Sequence, residues 1–75
     1  MMMFGMGQAC RYVEYNWYAT SEIGEHFCSA TVGKDHVESI NYHAPQGEGD
    51  RHFCDIQMDS GVQLRIFNIN KVEFL

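Results

Sequence analysis

Two alternating apolar segments flank Asp59-Ser60-Gly61, and their parity leaves only one compact way to pair them. Cys54, Ile56 and Met58 share a face of residues 52–58, as Val62, Leu64 and Ile66 do on residues 62–68. Side chains in a strand alternate with a period of two, so both sets point to one side only if the loop holds an odd number of residues. The three residues between them meet this condition as a type I turn closing in a G1 bulge, with Gly61 supplying the left-handed conformation. The register then pairs Met58 with Val62, Ile56 with Leu64 and Cys54 with Ile66. On the opposite face it sets Phe53 against Phe67 and Asp55 against Arg65.

The rest of the chain has the same chemistry. Over residues 10–19, Val13, Tyr15, Trp17 and Ala19 alternate with Tyr12, Glu14, Asn16 and Tyr18, and β-branched and aromatic residues replace the helix formers. Residues 26–32 read as a second strand, ended by the turn signal Gly33-Lys34-Asp35, and residues 36–43 as a third. The loop over residues 44–50 holds the only proline and is the longest loop, with Glu48 and Asp50 as its acidic residues. Asn68-Ile69-Asn70-Lys71 predicts a turn, and residues 72–75 a short closing strand. A hairpin, a one-turn connection and a closing strand are also how small SH3-like barrels end. The expectation is therefore all-β: a small antiparallel sheet or SH3-like barrel of five to six strands built from hairpins, with helix limited to short turns. It spans residues 1–75 as a single domain, with residues 10–75 as the β core and residues 1–9, rich in Met, as a flexible or apolar arm.

Charge and cysteine content narrow the function classes. Ten acidic residues against five Lys and Arg give a formal charge of −5, which opposes binding to phosphate backbones. No apolar run approaches the roughly 18 residues of a membrane span, and the Met-rich start lacks the positive segment of a secretory signal. Cys10, Cys28 and Cys54 cannot all pair within one chain, so the reading is a cytoplasmic protein with reduced thiols.

Two tripeptides repeat: His26-Phe27-Cys28 and His52-Phe53-Cys54. Residues two apart on a strand share a face, so His26, Cys28, His52 and Cys54 form an alternative zinc set or redox sensor if their strands are neighbours. The spacing matches no zinc-knuckle pattern, and the competing reading places both cysteines in the core as small hydrophobes. A cysteine nucleophile needs a pocket and an oxyanion site that a chain of this length scarcely encloses, so no catalytic residue and no cofactor is assigned.

Aromatic residues are too numerous for one side of one sheet. Tyr12, Tyr18, Phe27, Phe53 and Phe67 fall on faces away from the apolar positions of their strands, and exposed apolar patches mark interaction sites. The expectation is a small acidic, non-enzymatic protein-binding module. It associates with itself as a homodimer through these rings and binds a host protein with a basic surface, in the manner of inhibitors that phages and mobile elements use against host defences. The rings also suit an oligonucleotide-binding barrel, which would need a basic groove as well.

Overall fold

The segment richest in aromatic alternation becomes the spine of the molecule. The computed structural model describes residues 7–20 and 24–75, and side chains over residues 7–17 and 26–75. Its six antiparallel strands are β1 (Gln8–Thr20), β2 (Gly24–Thr31), β3 (Val37–His43), β4 (Phe53–Met58), β5 (Gln63–Ile66) and β6 (Ile69–Phe74). Among the described residues there is no helix, and therefore none long and apolar enough to cross a membrane. The sheet runs β2-β1-β3-β4-β5, with β6 also paired to β1, and curls into a half-barrel.

One edge of β1 is shared end to end by two strands. β2 pairs with Tyr12 through Thr20, and β3 takes over at Gln8 through Cys10. Between them the chain makes a tight excursion in which the Lys34 N–H donates to the Thr31 carbonyl and the Gly33 N–H to that of Val37. Gly33, Asp35 and His36 all have positive φ there, at 90°, 52° and 67°. Asp and His tolerate this region better than most side chains. The other edge of β1 is taken by β6, which pairs with Cys10 through Tyr15.

Core residues come from four strands: Cys10 and Val13 of β1, Val37 and Ile40 of β3, Cys54 and Ile56 of β4, and Ile66 of β5. Tyr15, Met58, Leu64, Ile69 and Val72 pack around them, half-buried. Fully burying an isoleucine contributes about 1.5–3 kcal/mol, so Ile40, Ile56 and Ile66 form the energetic centre.

The β4–β5 register is the one that parity requires. Cys54 faces Ile66, Asp55 faces Arg65 and Ile56 faces Leu64, while the Met58 N–H donates to the Val62 carbonyl at 2.8 Å. Gly61 has a φ of 97° and its N–H reaches the Met58 carbonyl. Val62 shares the face of Leu64 and Ile66 but lies exposed at the hairpin tip, past the residues that cover the core.

Every strand differs from the sequence expectation at one or both ends, β2 for instance running from Gly24 to Thr31, and two of the shifts have a visible cause. β1 begins at Gln8 rather than Cys10, because Gln8 and Ala9 find partners in Tyr42 and Asn41 of β3. Residues 8 and 9 therefore belong to the sheet and not to an arm, and residues 1–6 lie outside the described residues. β6 begins at Ile69 rather than Val72, since the Asn16 N–H donates to the Asn68 carbonyl and draws the expected turn residues onto β1. The ladder outweighs the turn preference of the two asparagines.

A Cβ added at Gly61 would meet no atom within 4 Å, so its only cost is conformational. Gly61→Ala is expected to lower unfolding stability by about 1–2 kcal/mol. Gly47→Ala, equally open and without a positive φ, should be neutral or stabilising by about 0.4–1 kcal/mol. Denaturant unfolding of the two variants separates turn strain from loss of space.

Candidate functional site

Alternation sorts the outward residues of β3, β4 and β5 into rows of distinct chemistry. His43 sits opposite Phe53, which reaches Phe67; Asn41 lies opposite Asp55, which faces Arg65; Ser39 pairs with Gln57, which faces Gln63. The face thus carries an aromatic row, a charged row and an amide row.

The aromatic and charged rows interlock. The His43 ring stacks on Phe53 with centroids 4.6 Å apart and planes 12° from parallel, and the Arg65 guanidinium lies 4.3 Å from the Phe53 ring centre. Arg65 also donates to both oxygens of Asp55, at 3.0 and 3.4 Å, and His43 Nε2 stands 3.5 Å from Asp55 Oδ2. Phe67 tilts against Phe53 at 5.7 Å and carries the Arg51 guanidinium 5.1 Å from its centre. Cation–π contacts at exposed sites contribute about 0.5–1 kcal/mol each and chiefly hold both partners in place. Arg51 is tied further by its bond to Asn68 Oδ1. Phe67 remains 38% exposed, so this assembly presents a ring to solvent instead of hiding it.

Beside the rings is an open polar depression of about 370 Å³, lined by Gly7, Ser39, Asn41, His43, Asp55, Gln57 and Gln63. Gly7 is required where the start of the chain crosses the face, because a Cβ there would stand 2.8 Å from His43 Nε2. The amide row is closed on itself by the Gln63 Nε2 bond to Gln57 Oε1.

Of the five rings the sequence singles out, the four with described side chains do not form one patch. Phe53 and Phe67 touch, whereas Phe27 lies on the outer face of β2, opposite Asn16, and is 66% exposed. Tyr12 is half-buried on β1 and donates its hydroxyl to Glu14, next to an ion-paired group formed by Arg11, Lys71 and Glu73. Among the described side chains no ring contact joins Tyr12 or Phe27 to the Phe53 group, and the side chain of Tyr18 lies outside the described residues. Trp17 was not among the nominated rings, because it shares its face with Val13 and Tyr15. It is 41% exposed, since among the described residues β1 beyond Asn16 pairs with β2 alone. Its alternation resembles that of a core residue, so only the reach of β6 along β1 distinguishes the two environments. His43 and Arg65 also belong to the face, and only their pairing positions in the hairpins pointed there.

The two His-x-Cys segments are kept apart. His26 and Cys28 sit on β2, Cys54 on β4 and His52 just before it, and β2 and β4 do not pair with each other. No group of three or more His, Cys, Asp or Glu side chains converges among the described residues. His52 Nδ1 instead meets the Tyr42 hydroxyl at 3.1 Å. Cys54 is wholly buried, and that burial, with Cys10 beside it, pushes its thiol up to about 12. Burial raises the Cys10 thiol as well. Nucleophilic and metal chemistry both need a thiolate, which these surroundings disfavour. The acidic loop is likewise engaged, with Asp50 Oδ2 accepting from the Gln46 N–H at 3.0 Å.

Fold and face together define a six-stranded antiparallel domain with an arginine-braced aromatic surface. No family model, no curated protein and no solved structure matches the chain.

The buried thiols set an alkaline limit on stability. Cys54 is neutral when folded and, on unfolding, returns toward its ordinary value of 9.0, so its contribution is complete below that pH and is lost as pH rises toward 12. Stability measured by urea unfolding should fall over that window with a slope of about 1.4 kcal/mol per pH unit from Cys54. Tyr15, also raised by burial, adds to the slope above pH 10. In Cys54→Ala the decline should be shallower.

Proposed function

We propose that the chain is a non-enzymatic, homodimeric protein-binding module that engages another protein through the Phe53–Phe67 face. The observation that carries this reading is the distribution of apolar residues. Among the described residues seven are buried in the core, while Trp17, Phe27, Phe67 and Phe74 stand exposed. A domain with so small a core gains most from its large rings by burying them, unless those rings have a use outside it. Aromatic and arginine side chains dominate the binding energy of protein interfaces, and here Arg51 and Arg65 are already ordered on their rings, which lowers the entropic cost of docking. The charge of −5 suits a partner with a basic surface, as with small acidic inhibitors that phages and mobile elements direct at host proteins.

Affinity capture from the native host, wild type against Phe67→Asp, tests the reading. A partner retained by wild type and weakened about tenfold or more by the substitution is the expected outcome. Capture indifferent to Phe67→Asp would overturn the assignment of this face. So would tight, salt-sensitive binding of single-stranded nucleic acid, which would turn Arg51 and Arg65 toward phosphates instead.

A further inference from the structure

Three strands, β2, β5 and β6, each pair with a single neighbour and so keep an open edge among the described residues. β5 is only four residues long, and β6 carries Lys71, a residue type that guards edges against pairing. β2 has eight residues and contains no Lys, Arg or Pro.

The ladder shows which of its backbone groups are free. The Val32 N–H donates to the Arg11 carbonyl at 3.0 Å, so Arg11 and Val32 form a hydrogen-bonded pair. Stepping by two, Val13 with Ala30, Tyr15 with Cys28 and Trp17 with His26 are the pairs that bond across to β1. Glu25, Phe27, Ser29 and Thr31 therefore aim their N–H and C=O groups outward, with the Thr31 carbonyl already accepting from Lys34. Phe27 stands on the outer face of this edge, and Ser29 follows it on the same face.

We infer that a second copy of this chain adds to the β2 edge, antiparallel about a two-fold axis at Cys28. The inference rests on the homodimeric reading above and specifies its seam. Of the symmetric registers, this one matches all four outward residues with outward residues: Glu25 with Thr31 of the second copy, and Phe27 with Ser29, each twice. No charged position meets its own copy, which satisfies the rule against like charges directly opposite. Each Phe27 lies across from a small serine and diagonal to the other Phe27, within the roughly 7–8 Å that aromatic rings bridge. The most exposed ring of the face is thereby covered by its own duplicate, and the two sheets continue as one. A two-fold, self-complementary seam also closes after two copies and leaves the Phe53–Phe67 face free.

In this register the two Cys28 residues form a non-hydrogen-bonded pair with Cα atoms about 4.5 Å apart, inside the range a disulfide accepts. Cys10 and Cys54 are 1% and 0% exposed, so Cys28 is the accessible thiol of the three. Treating the full chain with diamide at micromolar concentration should give a disulfide-linked dimer that Cys28→Ser abolishes. Sedimentation of the reduced protein should show a dimer that Ser29→Pro weakens about tenfold or more, since proline removes an outward N–H and spares every bond to β1. Circular dichroism checks that the proline variant keeps its strands, and Phe27→Asp, at an exposed position, should weaken the dimer to a similar degree. A strictly monomeric wild type would overturn both the homodimer and this seam. A dimer indifferent to Ser29→Pro and Phe27→Asp, with no Cys28 cross-link, would overturn the seam and leave the homodimer standing.

Discussion

The molecule depends on β1 using both of its edges. Thirteen residues long, this strand holds β2 and β3 in succession on one side and β6 on the other, and through β3 it carries the β4–β5 hairpin. Since an isolated two-stranded ribbon is marginal in water, the strand's value lies in tying the N-terminal hairpin and the C-terminal strand into one sheet. Val13, wholly buried, lies at the crossing, paired with Ala30 on one edge and Val72 on the other. Beyond Asn16 only one edge is used among the described residues, and Trp17 at the start of that two-stranded ribbon and Phe27 opposite Asn16 are exposed on opposite faces.

What could be read in the sequence follows from where local rules decide the structure. The β4–β5 hairpin was legible to the residue because a period of two and a loop of odd length admit one register, and that register also placed Phe53 by Phe67 and Asp55 by Arg65. The start of β6 was not legible. Asn68 and Asn70 carry turn preferences, but a ladder to a strand more than fifty residues earlier overrides them, with Asn70 Nδ2 donating to Asn16 Oδ1 at 2.7 Å. Nor could the sequence show that β2 and β3 share one edge of β1. The Gly33-Lys34-Asp35 signal reads as a hairpin turn, and whether the chain folds back on itself or makes a brief excursion is decided by what lies alongside. Here the excursion docks on the β4–β5 turn, where the Asp59 N–H donates to the His36 carbonyl at 2.9 Å.

The candidate face was half visible for the same reason. Pairing rules locate Phe53, Phe67, Asp55 and Arg65 within one hairpin, but His43 joins them only through the β3–β4 register, and Arg51 reaches Phe67 from the loop that precedes β4. The result is a charge-balanced surface in which Asp55 is flanked by Arg65 and His43, so the acidic character of the whole chain is locally offset around the rings. A protein with a net charge of −5 thereby gains one region where an approaching surface meets guanidinium groups and aromatic edges together.

The core shows why Cys10 and Cys54 differ from Cys28. Cys10 and Cys54 occupy buried positions in the core cluster with Ile40 and Ile56. A free thiol fills such space as a small hydrophobe with no obligatory hydrogen-bond partner. Cys28 is the same residue type at the same two-residue spacing from a histidine, yet it lies half-buried on β2, which pairs with β1 alone among the described strands. The repeated His-Phe-Cys motif thus meets two environments. In the strand flanked on both sides by other strands, its cysteine is enclosed; in the strand paired on one side among the described residues, the cysteine is half-buried and the phenylalanine exposed.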